Sequence, residues 1–319
     1  MPVAPAVAES AAQSASQSVA QSVAQFATTP PTSPAASMTG AEAAVSTTGS
    51  SPSASLVSLL QGANPWPWPE PSPAPRTGAQ LRSCPSRQIL DTAPNPYREF
   101  YFSRGAYPSG FRQGRRGGGG SWATDFEKAD RQFLVVLDQL MNIDAFPCEN
   151  VVYLDDPHMR QFPFVYMVSV GRMGLTPPEA EGLRSYLLQG GLIFVDDFWG
   201  TREWDVFQNE ISRVLPEYPI VEIPPDHLIF RIVYPIREVL QVPNVGNARR
   251  GPTYYYEQDG YVPHLRGIFD EKGRLLVLIS WNSDLGDAWE WAEQPDYPWD
   301  RSNYAFQLAF NAITYAMTH

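Results

Sequence analysis

Several things are scarce in this chain. Cysteine occurs twice in 319 residues, as Cys84 and Cys148. The two form no Cys-x-x-Cys pair and no metal-ligand spacing, which excludes a zinc-finger site and a multi-bridge disulfide framework; a single disulfide stays open. Histidine occurs four times, and His158 and His264 have no partner visible in sequence, while His319 is terminal. Basic residues are outnumbered, with 23 Lys and Arg against 34 Asp and Glu and a formal net charge of -11. Such a balance excludes the basic footprint that nucleic-acid phosphates require. No apolar run reaches the length of a membrane-spanning helix, about 18 residues or more, so no transmembrane segment is read.

Charge is almost missing from the start of the chain. Up to about residue 60 only Glu9 and Glu42 are charged, and the first basic residue is Arg76. A secretory signal would need a basic stretch before an apolar one, and none is visible. The segment is instead rich in Ala, Ser, Gln and Pro, with the quasi-repeat "SASQSVAQSVAQ" and then the Pro-rich run "NPWPWPEPSPAPR". Residues 1–95 are therefore expected to be a disordered arm and linker, since they cannot bury enough apolar surface to offset their ordering entropy.

What is there, from about residue 96 on, alternates between apolar runs and amphipathic stretches. "REFYFSRGAY" (98–107), "NVVYLD" (150–155), "FVYMVSVG" (164–171) and "LIFVDD" (192–197) read as strands. "TDFEKADRQFLVVLDQL" (124–140) reads as a helix with Thr124 as N-cap and Glu127 closing a capping box. "TPPEAEGLRSYLLQGG" reads as a second, with Thr176, Pro177 and Glu179 in the corresponding places and Gly190 as its stop. "REWDVFQNEISRVL" (202–215) and "SNYAFQLAFNAITYAM" (302–317) are amphipathic and helical, and "HLRGIFDEKGRLLVLISWN" reads as a hairpin that extends the sheet antiparallel. Strands that are apolar at every position and alternate with helices predict an α/β fold, a mostly parallel sheet covered on both faces.

In such sheets ligands bind beyond the carboxyl ends of the strands. Arg104, Asp155 with Asp156, Gly171 with Arg172, and Asp196 with Asp197 stand at the expected strand ends. Adjacent strand residues point to opposite faces, so one of Asp196 and Asp197 is expected to face a cleft and the other to cap or pair. Asp197 and Trp199 are expected to line the cleft and Asp196 to be structural, with Arg104, Trp122 and Asp125 on the same rim. A loop-exit role for both acids, capping helices or pairing with arginines, is the competing reading.

The residues also resemble a family. "FYFSRGAY", "GSWATDFEKAD", "FPFVYMVSVGRMGLTPPEAEGLRSYLLQGGLIFVDDFWG", "DHLIF", "VPNVGN" and "SDLGDAWEW", in that order, are similar to the uncharacterised bacterial family called domain of unknown function 4159. The resemblance covers residues 96–319. It implies a flavodoxin-like layout related to class I glutamine amidotransferases, and it implies no activity. It also implies an extracytoplasmic location, from which this sequence departs in showing no export signal. The amidotransferase nucleophile is a cysteine at a strand-to-helix elbow; here Asp196 and Asp197 occupy the elbow region and neither cysteine does, which argues against glutaminase chemistry. "GRMG" (171–174) lacks the serine of a Gly-x-Ser-x-Gly elbow.

Other features carry less. "GRRGGGGSW" lacks the lysine and spacing of a phosphate-binding loop and reads as a surface loop. Asp155, Asp156, Asp197 and His227 are of the types that bind metals, but they sit on separate loops, so no metal site is assigned; His227 is kept as a binding candidate. Trp122, Trp199, Trp281, Trp289 and Trp291 suggest an aromatic platform for a sugar or a protein partner. No particular cofactor is indicated. Two functions remain: a non-catalytic ligand- or protein-binding module, and a hydrolase using carboxylates at the strand ends, with or without a metal.

Overall fold

The computed structural model describes residues 98–108 and 121–319. The arm expected over residues 1–95 and the loop stretch "GRRGGGG" (114–120) lie outside these residues. Seven strands form one sheet in the order β2-β1-β3-β4-β7-β6-β5. They are β1 (Ser103–Ala106), β2 (Asn150–Tyr153), β3 (Phe164–Val168), β4 (Leu192–Asp196), β5 (Ile220–Glu222), β6 (His264–Phe269) and β7 (Leu275–Trp281). The first five in that spatial order, β2 to β7, pair in parallel. β6 and β5 then continue the sheet antiparallel, as the hairpin reading predicts. From β1 the chain steps outward to β2 and returns to β3 on the other side of β1. That reversal is a topological switch point, and the crevice above it, between the carboxyl ends of β1 and β3, is where folds of this type hold ligands.

The helices are α1 (Lys128–Leu140), α2 (Pro177–Leu188), α3 (Gly200–Val214), the short α4 (Val245–Ala248) and α5 (Leu285–Glu290), and α6 (Trp299–Thr318). Strand alternation sorts the core into two layers. Phe164, Tyr166 and Val168 of β3, with Leu192 and Phe194 of β4, pack under Phe133 and Leu137 of α1 and Phe306, Phe310 and Ile313 of α6. Val165 and Met167, with Ile193 and Val195, face Leu183 and Leu187 of α2 and Phe207 and Ile211 of α3. Central strands buried on both faces leave only their ends for polar chemistry.

Two local expectations meet different outcomes. At α2, Thr176 and Glu179 form the expected capping box, with Pro177 in the first turn. At α1 the helix starts at Lys128, three residues later than the expected N-cap implies, with Glu127 in the cap position. The reason lies in a neighbouring strand. Arg104 Nη1 donates to the carbonyls of Trp122 and Thr124, at 3.1 and 2.5 Å. Those acceptors hold residues 121–125 in a separate turn, in which Asp125 takes a left-handed φ of 60°. Thr124 Oγ1 donates to the Ser121 carbonyl instead of capping the helix.

Candidate functional site

Arg104 underlies the site. It is a fully buried residue within β1 rather than at its end. Its Nε donates to Asp130 Oδ1 at 3.1 Å and its Nη2 to Asp130 Oδ2, so α1 supplies its counter-charge. With Nη1 given to the two carbonyls, the guanidinium has no free edge for an anion. It fixes the turn that carries Trp122 and Asp125, and Phe126 and Tyr166 flank its planar face.

The carboxyl ends of β3, β4 and β7 lie side by side, and each is followed by a non-glycine residue in the left-handed region: Ser169 at φ 55°, Asp197 at 53° and Asn282 at 62°. Such conformations are costly and cluster where surrounding structure over-determines them. Their side chains form the floor of the rim. Ser169 Oγ donates to Asp197 Oδ2 at 2.7 Å and lies 3.0 Å from Thr124 Oγ1. Trp199 Nε1 donates to the other oxygen of Asp197 at 3.1 Å. Asn282 Oδ1 accepts from the Gly200 N–H at the start of α3.

Asp196 is fully buried. Its Oδ2 accepts from the N–H groups of Leu285 and Gly286 at 2.7 and 3.2 Å and from the Tyr166 hydroxyl at 3.0 Å. It thereby ties β4 to the N-terminus of α5, where a negative group is favoured. Burial, helped by the neighbouring Asp197, pushes its carboxyl up to about 8.

α5 adds further acids. Asp284 caps it by accepting from the Asp287 N–H, and Asp287 Oδ2 accepts from Val245 N–H at 2.5 Å. One oxygen each from Asp125, Asp287 and Glu290 lie within 4.8 Å of one another, which among the described residues is the group able to hold a metal ion. Asp125 Oδ2 is shielded from solvent and accepts no hydrogen bond. Burial, then the charges of Asp287 and Asp197, push Asp125 up to about 9. Burial likewise raises Asp287 to about 6 and raises Asp197, Asp284 and Glu290. Counter-charge is thin: Lys128 Nζ stands 4.0 Å from Glu290 and packs on the Trp291 ring, and Arg172 is largely exposed.

The rim therefore joins Asp125, Asp196, Asp197 and Trp199, with Arg104 beneath and Trp122 beside them. His227 is not with them. Its Nδ1 accepts from the Ile229 N–H, and its ring packs on Phe269 and Tyr315. Tyr315 accepts nothing from the rim; its hydroxyl takes the N–H of Leu275, the first residue of β7, which places His227 at the amino edge of the sheet. Burial lowers its pKa. Asp156 is engaged by His158 beyond the β2 end, so the set Asp155, Asp156, Asp197 and His227 does not converge. Trp199 and Trp289 are buried; they support the rim from inside and do not form a platform. Residues that the sequence did not single out, Ser169, Asp284, Asp287 and Glu290, complete the site.

A cavity of about 440 Å³ lies elsewhere, between α3 and the β5–β6 edge, lined by Trp204, Gln208, Tyr218 and Arg266 among others. Its charged and polar groups already have partners: Arg266 bonds Glu222, Tyr218 bonds Glu271 and Trp204 bonds Gln208. The rim, with its unpaired acids and left-handed strand ends, is the better candidate.

Cys148 is disulfide-bonded. Among the described residues no helix is long and apolar enough to cross a membrane. No curated protein matches the chain. A family model described as a domain of unknown function, DUF4159, matches residues 112–317, which take in β2 to β7, all six helices and every acid of the rim. The chain belongs to the DUF4159 family.

Proposed function

We propose that the domain is a ligand-binding module whose site is the acid-rich rim, and that its ligand brings positive charge as a hard divalent cation or an amine. The reading is carried by the three carboxylates of Asp125, Asp287 and Glu290, gathered within 4.8 Å, with one oxygen of Asp125 shielded and unpartnered. Ionised carboxylates at that spacing repel, and burial multiplies the repulsion. A cation relieves both, and oxygen donors of this kind suit Ca²⁺, Mg²⁺ or Mn²⁺. A sugar or protein docking on the tryptophans finds less support, since Trp199 and Trp289 are buried. The amidotransferase-like layout stays part of this proposal as ancestry, without cysteine chemistry.

Titration with Ca²⁺, Mg²⁺, Mn²⁺ and putrescine at pH 8, followed by calorimetry and thermal shift, tests it. A ligand at about 100 times its Kd should add about 3 kcal/mol of stability. That gain should vanish in Asp125→Asn and Glu290→Gln. No response to any of the four probes would overturn the reading.

A second reading, hydrolysis assisted by strand-end carboxylates, is favoured by one observation: Asp197 accepts a hydrogen bond from the hydroxyl of Ser169.

A further inference from the structure

We infer that Ser169 is a nucleophile for hydrolysis of a carboxylic ester, with Asp197 as its general base. This rests on the second reading above and is independent of the cation site.

Position comes first. Ser169 follows β3 directly and precedes a helical turn, Val170–Arg172. It stands at the carboxyl end of a strand that flanks the switch point between β1 and β3. A serine there, left-handed at φ 55° and ψ 36° and about 7% exposed, stands on a sharp strand-to-helix turn, the position that a nucleophile elbow gives its serine. A turn with only a structural task would favour glycine or asparagine in this conformation. Two residues on, Gly171 leaves no room for a side chain: an added Cβ would stand 2.3 Å from Glu203 Cβ. The elbow is pressed against the first turn of α3 and held tight.

Chemistry comes second. Ser169 Oγ already donates to Asp197 Oδ2 at 2.7 Å, and Trp199 and the Ser283 carbonyl fix Asp197 from its other side and its backbone. Burial raises the basicity of Asp197, which suits a carboxylate to accept a proton. No described histidine is hydrogen-bonded to Ser169 or Asp197 to take this part: His158 bonds Asp156, His227 is at the amino edge, His264 bonds Glu222, and His319 stacks on Tyr315. The turn after Ser169 makes its first internal bonds from Arg172 N–H and Met173 N–H. In an elbow the N–H of the residue after the nucleophile, here Val170, is the one that serves the oxyanion.

The step balances without a co-reactant other than water. Ser169 Oγ bonds to the ester carbonyl carbon as its proton passes to Asp197 Oδ2. The C–O bond to the alcohol breaks, and the alcohol leaves with that proton. Water then attacks the acyl-serine ester, Asp197 takes a proton from it, and the serine hydroxyl recovers that proton as the acid departs.

The test is a fluorophosphonate probe on the full chain at pH 8, with peptide mapping, beside p-nitrophenyl acetate turnover in the same samples. A single adduct mapping to Ser169 is expected, with labelling slowed about 100-fold in Asp197→Asn and unchanged in Ser212→Ala. An unlabelled wild-type chain, or an adduct on another serine, overturns the inference without need of a Ser169 variant. Cation binding is measured on the same preparations, so loss of labelling with intact binding sinks this inference alone, and the reverse sinks only the cation reading.

Discussion

Replacing Arg104 by methionine removes one residue and leaves three acceptors behind. The Asp130 carboxylate loses its only counter-ion in a fully buried place, and the carbonyls of Trp122 and Thr124 lose their common donor. Breaking a buried pair from one side costs about 3–5 kcal/mol, because the remaining charge stays desolvated. For a folded region of this size each kcal/mol moves Tm by roughly 2–4 °C, so Arg104→Met should lower Tm by roughly 6–20 °C. The cost is attributed to the orphaned acid rather than to lost attraction. The double variant Arg104→Met, Asp130→Leu should therefore recover most of it, with a coupling energy of about 2 kcal/mol or more in a double-mutant cycle. Thermal and urea denaturation supply the stability values. Hydrogen exchange over residues 121–125 should speed up in both variants, since both lose the donor to that turn. A single variant that loses under about 1 kcal/mol, or a double variant no more stable than the single, would refute the reasoning.

The rim acids set an inverted pH dependence. Asp196, Asp125 and Asp287 have folded pKa values raised to about 8, 9 and 6, above unfolded values of about 4. Their contribution is full below the unfolded value and lost as pH rises through the folded ones, so Tm should fall from pH 5 to pH 9; a Tm that rises across that window would contradict it. Asp196→Ala should cost about 2 kcal/mol in urea denaturation, having removed the acceptor for the α5 N-terminus, whereas Asp197→Asn should lose well under 1 kcal/mol. Gly171→Ala should cost about 1–3 kcal/mol by overpacking against Glu203 and should slow Ser169 labelling as well. Cys84→Ser with Cys148→Ser should leave cation binding and labelling unchanged, because Cys148 is engaged in a disulfide; loss of labelling in a folded double variant would point back to a thiol.

The parallel core was legible because β3 and the first four residues of β4 are apolar throughout, a pattern that two-sided burial produces. The second helix was legible down to its capping box, since Thr176, Pro177 and Glu179 act within one turn. Arg104 was misplaced by the same logic. A polar residue in an apolar run reads as a strand end, and the partner that buries it, Asp130, is 26 residues further on and on another element. Ser169 left no trace because "YMVSVG" continues as a strand pattern, and a left-handed serine has no composition signal of its own. The acids of α5 stand in a tryptophan-rich stretch that drew attention to its rings. Their approach to Asp125 depends on the docking of α5 beside α1, a long-range event that local spacing does not encode. His227 went to the other edge because its ring packs on Phe269 and Tyr315, long-range contacts that local spacing does not encode.

One pairing governs when this molecule can become itself. β4 lies between β3 and β7, and its register with β7 matches Ile193 to Val277. Every rung of that ladder waits for a stretch of chain some 80 residues away, and the intervening segment must be fenced off before any bond forms. Parallel contacts of such range slow folding by the entropy of closing the loop. Until Leu275–Trp281 has emerged from the ribosome, β4 is a hydrophobic strand with one bare edge, and Asp196 has no α5 to hold. The rim thus cannot form before the C-terminal third of the chain has joined the centre of the sheet. A chain interrupted at that stage would display its stickiest strand and no site at all, a state that chaperones recognise and that aggregation exploits.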